Sequence, residues 1–342
     1  MKKSNRLTVS DAFGSLFSND KAIACSKVSP LWLTIILFFV AVIIPIVPLA
    51  VSAANSYGSA FIGNNSYGFE KTMPKIALEM AKDDIKFLTV NEDHELSITN
   101  DDAVASYKHV NSTTGHTEME VFFSAAKESK SKSAFINSVA DHKYVLNDDG
   151  ENTTYYHSSY TVFFNNSIYC CIYEPNSTNI ITASSYGDYK SFKPGTNLVE
   201  LLTTVEGQKL APTSDAQILD LLADNKVNNG VFNNWKTVFN KAYETSKVRN
   251  VWLGSLLYLG IYTGMSLIMA LLIWIMTRGK NNPFSYLSLL ACFKIESWAS
   301  VCPGLIALVL GFFLTQYAVM LFIMTLGMRV MWIAMRQLRP QA

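Results

Sequence analysis

The chain has 342 residues, 49% of them hydrophobic and 16% charged, with a net charge of +1 and a mean hydropathy of +0.18. Soluble domains carry about a quarter charged residues, so the composition excludes an ordinary soluble enzyme, a disordered tail and a disulfide scaffold. The near-zero charge excludes a nucleic-acid binder that works through bulk electrostatics.

Residues 1–30 form a polar leader with five Lys/Arg and two Asp. Within it Phe13, Leu16, Phe17 and Ile23 fall at near-helical spacing, the pattern of an amphipathic helix lying in a membrane interface. A partly ordered tail is the plain alternative. Residues 31–54 then carry no charge, and a bilayer core of ~30 Å needs about 20 such residues. Ser52-Ala53-Ala54 resembles a signal-peptide cleavage site, but the apolar run exceeds the ~7–15 residues of a signal core, so the reading is an uncleaved helix. Pro45 and Pro48 predict a kink in it, since each lacks a backbone donor.

Residues 55–250 read as a single α+β domain. An Asn/Ser/Gly/Tyr-rich linker over 55–68 leads into a helix over 72–87, with Thr72 as N-cap and Pro74 in the first turn. Short β-type runs follow at 86–90, 95–98, 118–124, 153–164 and 167–173, separated by turn residues such as Asn147-Asp148-Asp149-Gly150 and Asn165-Asn166. Helical patterns return at 197–205, 214–226 and 231–248, and Ser214 with Gln217 makes a capping-box signature.

A second uncharged run spans 251–277, bounded by Arg249, Arg278 and Lys280. Residues 278–297 read as a loop. The run from Trp298 to Met335 holds one charge, Arg329. As a single helix it would be ~57 Å long at 1.5 Å per residue, so two spans, 298–314 and 316–336, joined near Phe313–Gln316, fit better, with 337–342 as a tail. Charge agrees with this layout. Residues 278–342 carry six Lys/Arg and only Glu296 on the acidic side, leaving 17 Lys/Arg and 24 Asp/Glu for residues 55–250. The positive-inside rule then places both termini and residues 278–297 in the cytoplasm and residues 55–250 outside. The fold class is four transmembrane α-helices with an α+β extracytoplasmic domain inserted between helices 1 and 2.

Signatures of chemistry are sparse. The five histidines, His94, His109, His116, His142 and His157, show no metal-ligand spacing. The acidic doublets Asp83-Asp84, Asp101-Asp102 and Asp148-Asp149 lack the alternating oxygen ligands of a calcium loop. Neighbouring Cys170 and Cys171 would point to opposite faces of a strand as two free thiols, one of them buried; a vicinal disulfide, the alternative, would be strained. Asn64, Asn111, Asn152, Asn165 and Asn176 begin glycosylation triplets, meaningful only in a eukaryotic secretory pathway. No catalytic or nucleotide-binding motif is present, and no cofactor, metal or catalytic residue is assigned. Within the apolar runs Gly260 and Gly264 form a GxxxG, and Ser300, Gly304, Ala307 and Gly311 form a small-residue stripe. Both are candidates for close helix packing, within the chain or with a partner. Arg329 is the one charge inside a span. Intramembrane charge is by default a functional-site hypothesis, but Arg329 is ~10 Å along a helix from Arg336, near enough to reach the headgroups.

Four segments carry a resemblance: Phe13-Gly14-Ser15-Leu16-Phe17-Ser18 before the first span, the amphipathic segment after it, Asn282-Pro283-Phe284 to Trp298, and the closing Gly327-Met328-Arg329-Val330-Met331-Trp332. With the overall layout, they resemble the uncharacterised Gram-positive membrane family known as domain of unknown function 1189, often described as maltodextrin utilisation proteins. The resemblance implies a bacterial plasma membrane and an accessory role near carbohydrate uptake, and it carries over no catalytic residue. The expectation is a non-enzymatic membrane protein: a sensor, scaffold or transport accessory. Its partners would be the lipid bilayer and other membrane proteins such as a transporter, with no nucleic acid and a ligand the sequence does not identify. A transporter or channel component is the alternative, and an enzyme at the membrane surface the third.

Overall fold

Thr8 opens the first helix of the computed structural model, which describes residues 8–60, 62, 69–104, 106–148, 153–279 and 282–338. Asn64, Asp149, Gly150, Asn152, Lys280 and Arg339 lie outside those residues. The chain divides into two units, one made of Met1–Asn55 with Arg249–Ala342 and the other of Ser56–Val248.

The first unit begins with α1 (Val9–Phe17) and α2 (Asn19–Val28). The Thr8 hydroxyl caps α1 by accepting from Asp11 N at 3.2 Å. Ser18 ends α1 in an extended conformation and its hydroxyl caps α2, so one residue makes the corner. Phe13 and Phe17 are exposed but Ile23 is buried, so the expected single amphipathic face is split by the corner at Ser18. Pro30 forces Ser29 out of helical geometry, and α3 (Leu31–Ile43) follows. The expected proline kink takes the form of a 3₁₀ turn over Ile44–Ile46 before α4 (Val47–Ala54).

The second unit opens with α5 (Phe69–Lys82). Thr72 lies inside this helix, its hydroxyl bonding back to Phe69 O, instead of capping it, and Pro74 is internal. The missing Pro74 donor leaves the Glu70 carbonyl free, and Asn228 Nδ2 fills the gap at 3.0 Å. The runs 86–90 and 95–98 form isolated bridges, Thr89 with Asn197 and Val90 with Leu96, rather than strands. His94 between them turns the chain with φ of 57°.

The strands proper are β1 (Ser106–Val110), β2 (Thr117–Ser124), β3 (Tyr144–Asp148), β4 (Thr153–Tyr156), β5 (Ser159–Phe164), β6 (Ser167–Tyr173) and β7 (Ile180–Gly187). A helix α6 (Ser129–Ala140) lies between β2 and β3. The main sheet has the order β1-β2-β5-β6-β7, with β2 and β5 parallel and the other neighbours antiparallel. A parallel pair needs a long crossover, and α6 with the β3–β4 hairpin supplies it. The expected strand over 153–164 is two strands belonging to two sheets. The β5–β6 hairpin turns at Asn165-Asn166 as expected, pairing Phe164 with Ser167. After β7 come α7 (Leu198–Thr203), the small hairpin β8 (Thr204–Val205) with β9 (Gln208–Lys209), and α8 (Asp215–Ala223). Ser214 caps α8 by accepting from Gln217 N at 3.3 Å.

Both faces of this sheet are covered. On one, Phe123, Phe163 and Cys170 pack with Trp235 and Phe239; on the other, Tyr160, Phe164 and Cys171 pack with Phe135 and Val139 of α6. That corrects the expectation of one buried cysteine. Cys170 and Cys171 do point to opposite faces, and both are buried free thiols, because α6 closes the second face.

The chain continues as α9 (Asn225–Thr277), α10 (Leu289–Gly311) and α11 (Ala318–Trp332), the last ending in a π turn over Ile333–Gln337. Helix α10 starts nine residues before the expected span at 298, capped by the Ser288 hydroxyl. It breaks near Phe312, and a 3₁₀ turn over Thr315–Tyr317 leads into α11. Four helical stretches among the described residues are long and apolar enough to cross a membrane: Leu31–Ala54, Asn225–Thr277, Leu289–Gly311 and Thr315–Gln337. In the helical unit their inner faces share a core that includes Phe38, Val42, Tyr262, Ile295, Phe322 and Leu326.

Candidate functional site

In the α+β unit, α5, the end of β1, the start of β2 and α8 enclose a cleft of about 750 Å³. Charged and amide groups line it: Glu70, Lys71 and Lys75 from α5, His109 and Asn111, Glu118 from β2, and Asn225 and Asn228. Leu219 and Leu222 give it an apolar wall. Glu118 organises one side. Its Oε1 accepts from Asn111 Nδ2 at 2.6 Å and its Oε2 lies 3.8 Å from His109 Nε2. His109 Nδ1 is buried without a partner. Burial, and then the Lys75 charge, pull the His109 pKa below its ordinary value, with Glu118 opposing. The ring is therefore neutral near pH 7 and offers one donor and one acceptor. The sequence singled out none of these as a site, because the cleft forms between segments far apart along the chain.

The helical unit holds the residues that the sequence did single out. Arg329 is only part-exposed, and instead of reaching toward Arg336 it donates from all three guanidinium nitrogens. Nε binds Asn19 Oδ1 at 2.8 Å, one terminal nitrogen binds Ala299 O at 3.0 Å and the other binds Ser15 O. Each acceptor has a local reason. Ser15 lies in the last turn of α1, where carbonyls are unpaired and the helix dipole is negative. Ala299 is four residues before Pro303, whose ring has no N–H to give it. The result is a clasp joining α1, α2, α10 and α11. A second clip lies beside it, with Lys294 Nζ on Ser29 O and Trp298 Nε1 on Ser29 Oγ.

The small residues divide. Ser300, Gly304, Ala307 and Gly311 are buried. A Cβ on Gly304 would lie 2.8 Å from Ala41 O, and one on Gly311 would lie 3.0 Å from the Pro48 ring. Ala41 O is again a carbonyl whose helical donor is missing, here because of Pro45. By contrast a Cβ on Gly260 or Gly264 would meet nothing within 4 Å. Asn282, in the segment that carries the resemblance, is buried and donates to Leu338 O at 2.9 Å.

Sequence reasoning missed Glu296 by placing it in a loop. It lies inside α10 at 0% exposure, with neither carboxylate oxygen hydrogen-bonded. Ser266 on α9 faces it without closing a hydrogen bond. A signal was available. Lys294 and Glu296 are two residues apart, ~200° around a helix, so an otherwise apolar helix turns one of them inward.

Comparison with protein-family models, curated proteins and solved structures finds no match for this chain.

Proposed function

We propose that the chain is a non-enzymatic, multi-pass protein of the bacterial plasma membrane that acts as a sensor, scaffold or transport accessory. Residues 55–250 would face outside and take up a ligand or partner segment. The observation that carries this reading is the cleft between α5, β1, β2 and α8, whose volume lies within the range of ligand sites. Its lining of both charges with amides suits recognition of a polar molecule. The four apolar helices and the charge asymmetry support the membrane placement, and the resemblance described above supports a link to carbohydrate uptake. A photo-crosslinking residue at Asn111, in full-length protein in cells, is the test. Cross-linked material from Asn111 and none from exposed Lys143, on a different hairpin, is the expected result. Equal yields from both positions would remove the cleft from the proposal. A transporter or channel component is the second reading, favoured by one observation, the buried carboxyl of Glu296. Solute flux in vesicles holding this protein alone would establish it over the first.

A further inference from the structure

A buried carboxylate is normally paired with a cation or held by several donors, because leaving it bare forfeits its hydration. Glu296 has neither arrangement. Its exposure is 0% and both oxygens lack a hydrogen bond. The surrounding helices offer it no counter-charge. Lys294 on the same helix is spent on Ser29 O, and Arg329 on α11 is spent on Ser15, Asn19 and Ala299. The charged residues of α1 and α2, namely Asp11, Asp20, Lys21 and Lys27, form no ion pair with it among the described residues, and α3 and α4 carry no charged residue.

Ser266 on α9 faces the carboxyl, is 0% exposed, and its hydroxyl has no partner. Buried polar atoms are nearly always satisfied, so these orphans on facing helices mark a place where something small belongs. An apolar core elsewhere around them leaves a cation as the missing complement.

We propose that Glu296 and Ser266, between α9 and α10, bind one small monovalent cation, a proton or a sodium ion. One carboxylate supplies one negative charge, which a monovalent ion neutralises. A calcium or magnesium ion would leave one positive charge uncompensated in the apolar core. Binding leaves a neutral site that the apolar core tolerates, so occupancy of the site and packing of α9 against α10 are coupled. This goes beyond the cleft reading and does not depend on it.

Infrared difference spectroscopy on the full-length protein in lipid nanodiscs tests the site. Subtracting the Glu296→Gln spectrum from that of the native protein isolates one carboxyl, titrated with pH in potassium buffer and again with added sodium chloride. In potassium at neutral pH the Glu296 band should be that of the neutral acid. Conversion to carboxylate only as pH rises, unmoved by sodium, identifies a proton. Conversion at constant pH on adding sodium identifies a sodium ion. Ser266→Ala should move the titration about tenfold, weakening a bound sodium ion by the loss of one ligand, or tightening a bound proton by the loss of one donor to the carboxylate. If Glu296→Gln does not fold, the native-minus-Ser266→Ala spectrum carries the same titration. A carboxylate band at neutral pH without sodium, indifferent to sodium, overturns the proposal, as does a Ser266→Ala titration identical to the native one.

Discussion

Three nitrogens of Arg329 reach three acceptors that no single ammonium could reach together. Lysine keeps the charge but not the fork. Arg329→Lys should therefore lose about 2 kcal/mol or more, since hydrogen bonds to a charged group contribute ~1.5–3 kcal/mol each. Thermal unfolding of full-length protein in nanodiscs should show a lowered midpoint, with α1 and α2 cut earlier by protease. An Arg329→Lys protein as stable as the native one would return Arg329 to a headgroup anchor. His109 makes a prediction of opposite character. Its folded pKa lies below 6.5, so the unfolded chain binds the proton more readily than the folded one. The stability it contributes is complete above pH 6.5 and is lost as pH falls through the folded pKa. His109→Gln should flatten that part of the stability–pH curve, and an unchanged curve would show that the ring is not buried in solution. At this scale the sequence revealed Arg329 as a lone charge but not its partners, since two are backbone carbonyls, which carry no residue signature, and the third, Asn19, lies 310 residues away. It was silent about His109, whose neighbours come from α5 and β2.

Elements were legible where local chemistry sets them. A β-type run opened by the Asn165-Asn166 turn gave β6 at its observed limits, and Ser214 announced α8. Where an element depends on what covers it, the pattern failed. Helix α6 has few apolar residues, Phe135, Ile136 and Val139 among serines and lysines, and it exists to roof one face of the sheet. The start of α10 was hidden because Lys294 and Glu296 read as loop charges, although a helix can bury one and tie off the other. Small residues allow a direct comparison between elements. Gly304→Leu must push into Ala41 O, a backbone atom that cannot swing aside, whereas the first side-chain carbon added at Gly260 or Gly264 meets nothing within 4 Å. Gly304→Leu should lower the unfolding midpoint by the ~1–3 kcal/mol of an overpacked site, and Gly260→Leu and Gly264→Leu should leave it within ~0.5 kcal/mol. Destabilisation by Gly264→Leu equal to that of Gly304→Leu would mean that another helix covers the glycine face of α9.

For the whole chain, apolar runs located the four candidate spans and the inserted domain, because twenty uncharged residues leave little ambiguity. Pairing was not legible. Nothing local tells β2 to lie parallel to β5 across a hairpin that belongs to another sheet. The proposed placement has a direct measurement. Burial holds the Cys170 and Cys171 thiols above their ordinary pKa, and thiols without thiolate character react slowly, so the native insert should be nearly silent to an impermeant maleimide. A cysteine placed at exposed Lys143 should then label from outside on intact cells, and cysteines at Ser4 and Gln341 should label only after permeabilisation. External labelling at Gln341 would remove the four-span layout.

The prolines at 303 and 74 carry an evolutionary consequence. Each freed carbonyl takes a side chain from elsewhere, Arg329 in one case and Asn228 in the other, so each proline and its distant donor form an epistatic pair. Pro303→Ala restores a main-chain donor that competes for Ala299 O, so the cost of changing Arg329 should shrink in that background. A double-mutant cycle should return a coupling of about 0.5–3 kcal/mol. A cycle that closes additively would show the two positions free to drift apart, whereas a coupled one predicts that 303 with 329, and 74 with 228, change together among descendants of this sequence.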